Sequence, residues 1–148
     1  MIDIHEVYAY LRVHSTAEAI DFYSRAFDAR EIFRLTEPSG RIGHAEVRIG
    51  PTTVMLSDEY PEHNIRGPRT LGGTTFSMHL HVADVDKAFE QAVAAGASVV
   101  GPLQDQFYGD RSGAICDPFG HQWTIATHKE DVSPKEMKQR LDAMIKSK

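Results

Sequence analysis

The sequence has one cysteine in 148 residues, which excludes an internal disulfide and any zinc site built from several thiolates. It has no run of Lys or Arg, and 16 basic against 21 acidic residues leave a formal charge of −5. Neither a nucleic-acid groove nor an anionic membrane surface is therefore an expected partner. No apolar stretch approaches the ~20 residues that cross a bilayer. Met1-Ile2-Asp3-Ile4-His5 lacks the basic-then-apolar order of a secretory signal, and these absences together predict a cytoplasmic protein. The lone thiol, Cys116, sits in the apolar run Ala114-Ile115-Cys116, which predicts a buried, inert side chain.

With 41% apolar residues the chain can bury a core, as one domain or two very small fused units. Much of it can be placed relative to the run Asp117-Pro118-Phe119-Gly120-His121-Gln122-Trp123-Thr124-Ile125-Ala126-Thr127-His128. Pro118 and Gly120 predict a tight turn. In the alternating strand that follows, Trp123, Ile125 and Thr127 take a packing face, and Gln122, Thr124, Ala126 and His128 take the other.

Upstream, Glu6 to Val13 alternates as a strand, and Ser15 with Glu18 forms a capping box that opens a helix to Asp28. Strands are expected at Glu31–Thr36, Ile42–Ile49 and Thr52–Ser57. Asp58 to Thr75, broken by Pro61, Gly67, Pro68, Gly72 and Gly73, has no period and reads as a linker. The order then recurs: a strand Phe76–Val82, a helix from the Asp84 cap to Gly96, a strand Ser98–Gly101, a loop through Tyr108-Gly109-Asp110-Arg111, a strand Gly113–Cys116 and the final strand.

Leu11 and Leu80, Val13 and Val82, Ala19 and Ala88, and Ala26 and Ala95 all differ by 69 positions. The chain is thus read as an α+β duplication of a βαβββ unit, with modules 6–58 and 76–128 in one domain, 1–148. Ser133-Pro134-Lys135-Glu136 opens a C-terminal helix over 133–146, whose stripe of Met137, Leu141, Met144 and Ile145 packs on the body or on a partner.

The duplicated unit, the opening Tyr10-Leu11-Arg12-Val13 with Ile20-Asp21-Phe22-Tyr23, and Asp117-Pro118-Phe119-Gly120-His121 before the last strand resemble the vicinal oxygen chelate superfamily. That superfamily contains glyoxalase I, extradiol dioxygenases, fosfomycin resistance enzymes and bleomycin-binding proteins. His44-Ala45-Glu46, Phe107-Tyr108-Gly109-Asp110-Arg111 and the long final motif look like its PhnB-like branch, and the likeness covers residues 6 to about 131. The resemblance implies curved mixed sheets around a cup-shaped cavity, usually in a homodimer. Metal-bearing members carry His or Glu on four cup-facing strands, at places that match Tyr8, Met55, Ser77 and Thr124 here. None of these is an ordinary ligand, so no metal is expected at that place.

If the apolar faces cover the helices, the cavity face of the first module carries Tyr8, Tyr10, Arg12, His44, Glu46 and Met55. The second module contributes Ser77, His79, His81 and Thr124. All of these but His81 are the candidate ligand-binding residues, with Glu46 a candidate general base. The alternative for each is to satisfy a neighbouring side chain or to lie at a dimer contact. The reading preferred is a dimeric protein that binds a drug or other small organic molecule. The alternative is a metal-dependent lyase, isomerase or transferase using His44, Glu46, His79 and His81 as an unconventional divalent-metal site. Asp110 and Arg111 either reach a substrate or order their own turn.

Overall fold

The three long helices start where a short polar side chain can hold a free backbone N–H. The computed structural model, which describes residues 1–148, has the order β1 (Tyr10–Val13), α1 (Thr16–Phe27), β2 (Arg30–Thr36), β3 (Ile42–Ile49), β4 (Thr52–Asp58), α2 (Pro68–Leu71), β5 (Ser77–His81), α3 (Val85–Ala95), β6 (Ser98–Asp105), β7 (Asp110–Cys116), β8 (Gln122–His128) and α4 (Pro134–Lys146). Ser15, Asp84 and Ser133 each accept a hydrogen bond from the backbone N–H three residues on, at α1, α3 and α4. α1 stops at Asp28, which takes a left-handed conformation.

The strands form two mixed four-stranded sheets, ordered β1-β4-β3-β2 and β5-β8-β7-β6. The first and last strands of each module pair in parallel, and the 69-residue offset survives in the register: Tyr10 lies opposite Met55, and His79 opposite Thr124. Both sheets turn their apolar faces into one core. Leu11, Val47 and Leu56 enter it from the first sheet, and Ile115, Trp123 and Ile125 from the second. α1 touches both, since Tyr23 and Phe27 set their rings 5.4 and 4.6 Å from Trp123. The polar faces of the two sheets consequently look away from this shared core. β1 and β5 are edge strands of their sheets.

Several boundaries differ from the sequence expectation. The first strand begins at Tyr10, not Glu6, because residues before Ala9 have no ladder partner; Val7 is 87% exposed. The linker holds a 3-10 turn at Pro61–His63 and the single turn of α2, and Asp58 before it receives the N–H groups of Thr16 and Ile42 at 2.7 Å. β6 continues to Asp105 through a register shift after Gly101, and it tolerates Pro102 because it lies at the sheet edge. Asp110 and Arg111 belong to β7, opposite His128 and Thr127, and not to a loop. Arg111 pairs with Asp86 of α3 at 2.9 Å and Asp105 of β6 at 3.3 Å, so it ties β7 to its neighbours and does not order its own turn.

Cys116 is half-buried and not fully buried as the apolar run predicts, and burial is the chief cause that raises its thiol pKa. α4 is tied down by Arg140, which donates to the Phe107 carbonyl at 3.0 Å and to Glu130 at 2.7 Å, while Leu141, Met144 and Ile145 stay exposed.

Candidate functional site

Alternation on β1, β3 and β4 puts Tyr10, Arg12, His44, Glu46 and Met55 on the polar face of the first sheet. Tyr10, Met55 and Glu46 occupy one cross-strand row, which Phe33 of β2 continues. The contacts form a chain. The Arg12 guanidinium lies 3.9 Å from the Tyr10 ring centroid, and its Nη1 donates to Ser57 Oγ at 2.6 Å. Tyr10 Oη and His44 Nδ1 are 2.7 Å apart, and His44 Nε2 and Glu46 Oε2 are 2.8 Å apart. A His44 tautomer protonated at Nε2 donates to the Glu46 carboxylate and accepts the Tyr10 hydroxyl proton at Nδ1, so all three groups are satisfied at once. The Phe33 ring, 5.6 Å from His44, forms a wall.

Around the end of β1, Tyr10, Arg12, Arg66, Phe76 and His121 line a cleft of about 600 Å³ floored by the 72–75 linker. His121 is largely buried, with Nε2 2.9 Å from the Arg12 carbonyl and Nδ1 without a partner. Gly120, just before it, has φ +91° and lies so close to α2 that a Cβ there would stand 2.7 Å from Pro68.

The remaining candidates lie elsewhere. Tyr8 belongs to the extended segment before β1, where its hydroxyl meets Glu6 beside Arg48 and Thr53. Ser77, His79 and Thr124 are on the polar face of the second sheet, Ser77 opposite Gln122 and His79 opposite Thr124. His44 and Glu46 are thus one pair on β3, and His79 and His81 another on β5 in a different sheet. The four do not form one ligand group within the chain, because the strands that hold them share no ladder. The groups that do come together are His79, His81 and Asp110, whose ligand atoms all lie within 4.8 Å of one another. Beside them His128 contacts Asp131 at 2.7 Å and Asp110 at 3.1 Å, and these two carboxylates, Asp131 the stronger, raise its pKa.

Alternation alone misses Phe33, Arg66, Asp110 and His121. Phe33 is hidden by a register shift between Glu31 and Phe33, and Arg66 by the aperiodic linker. Asp110 carried a signal, since it lies between two turn residues and a strand.

This geometry accompanies a definite relationship. A family model described as Glyoxalase/Bleomycin resistance protein/Dioxygenase superfamily matches residues 4–125, and the chain belongs to that superfamily. Among curated proteins, it is 43% identical over 137 residues to Uncharacterized protein Rv0887c of Mycobacterium tuberculosis, covering 90% of this chain and 81% of that one. Among solved structures, TioX from Micromonospora sp. ML1 superposes with a TM-score of 0.64 at 28% identity, over 84% of this chain and 98% of TioX. A PhnB protein from Bacillus cereus shares the fold, with a TM-score of 0.66 at 19% identity over 83% of this chain and 99% of that protein. No helix is long and apolar enough to cross a membrane.

The metal that some members of the superfamily carry does not fit its customary place. Met55 offers a thioether opposite Tyr10, Thr124 a neutral hydroxyl opposite His79, and Ser77 another hydroxyl opposite Gln122. Such donors hold a hard or borderline divalent cation poorly.

Proposed function

We propose that the chain is a homodimeric small-molecule-binding protein whose ligand is a planar organic anion seated on the polar face of the first sheet. The observation that carries this reading is the unbroken chain of contacts from Arg12 through Tyr10 and His44 to Glu46. Arg12 uses one of its N–H groups on Ser57 and keeps others for a carboxylate or sulfonate. Tyr10 and Phe33 supply aromatic surface, and Glu46 acts through the His44 tautomer it holds.

The reading is tested by fluorescence titration with 8-anilinonaphthalene-1-sulfonate, a planar aromatic anion. Arg12→Ala is expected to raise its Kd about tenfold or more, the loss of one charge-assisted contact, and His44→Ala to raise it several-fold by releasing the Tyr10 hydroxyl that His44 holds. Wild-type affinity in both variants removes the reading.

The polar faces lie open on a single chain, and two edge strands, β1 and β5, have a free side. A second chain that covers them would turn two half-cups into closed cavities. Light scattering is therefore expected to give twice the 16.5 kDa chain mass, and a monomer at high concentration contradicts the assembly.

A further inference from the structure

We propose that His79, His81 and Asp110 form a divalent-cation site of zinc type on the polar face of the second sheet, apart from the Tyr10–His44–Glu46 cluster. The two histidines are at i and i+2 on β5, so their rings project to one face and stack with centroids 4.7 Å apart and planes 21° from parallel. Asp110 opens β7, with β8 lying between it and β5. The β8 residue opposite His81 is Ala126, whose methyl group leaves the space across which the longer side chains converge.

The donors themselves point to a cation. His44, His121 and His128 each spend ring nitrogens on hydrogen bonds, whereas His79 and His81 make no hydrogen bond or ion pair. The Asp110 side chain is 14% exposed and is oriented by His128, which Asp131 holds from its other nitrogen. A ligating carboxylate is usually held by a neighbour in this way. Two free imidazoles and one carboxylate match a three-ligand zinc site with an open fourth position. The place differs from the customary one of the superfamily, where Ser77 and Thr124 stand, and the proposal does not depend on the organic ligand of the first sheet.

The test is calorimetric titration of the full chain with ZnCl2 at neutral pH. Wild type is expected to take up one zinc per chain, and Co2+ in its place to give the visible absorption of a four-coordinate centre. His81→Ala and Asp110→Asn should each weaken zinc binding about tenfold or more, with His79→Gln as a further variant should either fail to give the wild-type circular dichroism. His63→Ala, an exposed imidazole outside both clusters, should leave it unchanged. No uptake by wild type, zinc binding that survives His81→Ala, or loss in His63→Ala overturns the site. Titration of the same His81→Ala protein with 8-anilinonaphthalene-1-sulfonate reads the other sheet, so failure of one proposal is distinguishable from failure of the other.

Discussion

Asp117→Ala is expected to destabilise the protein by about 3–5 kcal/mol, although Asp117 touches neither polar face. The carboxylate is buried at 4% exposure, and every group it meets is a donor. Phe119 and His121 donate their backbone N–H groups to Oδ1 at 2.9 Å. The Tyr23 hydroxyl donates to Oδ2 at 2.6 Å, and the Trp123 indole N–H to the same oxygen at 2.9 Å. Truncation to alanine strands all four in a low-dielectric core, at about 1–3 kcal/mol for each that water cannot reach.

Asp117→Asn tests the same point more sharply. An amide nearly matches the shape of the carboxylate but turns one of its two acceptors into a donor. One pair of donors then faces an N–H2 group, and only the Tyr23 hydroxyl can rotate to accept from it. A loss of about 1.5–3 kcal/mol is expected in urea unfolding, with m unchanged. Tyr23 reports on the same network: burial, followed by the Asp117 charge, raises its pKa well above the ordinary phenol value. Stability tied to the neutral phenol is full below the unfolded-state value near ~10 and is lost as pH rises beyond it toward the higher folded-state value. An Asp117→Asn protein as stable as wild type at neutral pH would show that the network is dispensable.

Asp117 also marks how far the sequence can be read. Its local half is legible, because Asp before Pro-Phe-Gly predicts a turn whose N–H groups the side chain can collect. Its distant half is not, since nothing local connects Asp117 to Tyr23, 94 positions away. The same division holds for the site. Alternation assigns Tyr10, Arg12, His44 and Glu46 to one face, and the duplication gives the paired registers of Met55 and Thr124. Alternation gives no rule for which sheet a strand joins, so it groups His79 and His81 with His44 and Glu46, whereas the fold brings them to Asp110. Phe33 fell out because a bulge shifts the phase of β2, and period-2 reasoning fails after any inserted residue.

Leu11 and Arg12 are neighbours on β1 and should respond in opposite ways. Leu11 is 2% exposed, faces Leu56 across the parallel ladder and belongs to the core shared by both sheets. Leu11→Ala removes buried apolar volume from a region where α1 and the sheet cannot readily close the gap, so about 2–5 kcal/mol of stability should be lost. Arg12 projects to the other side, where Arg12→Ala removes one hydrogen bond to Ser57 and the stack over Tyr10. Ser57 still donates to the Asp58 carbonyl at 2.9 Å, so no buried hydroxyl is stranded, and the cost should stay within about 1 kcal/mol. On the proposed function binding should reverse the order, because Arg12 would supply the cation for an anionic ligand while Leu11 faces the core. Thermal melts and 8-anilinonaphthalene-1-sulfonate titrations of the two variants against wild type separate these effects. If Arg12→Ala unfolds the chain as severely as Leu11→Ala, the face assignment of β1 is inverted, and with it every residue placed on the polar side of the first sheet.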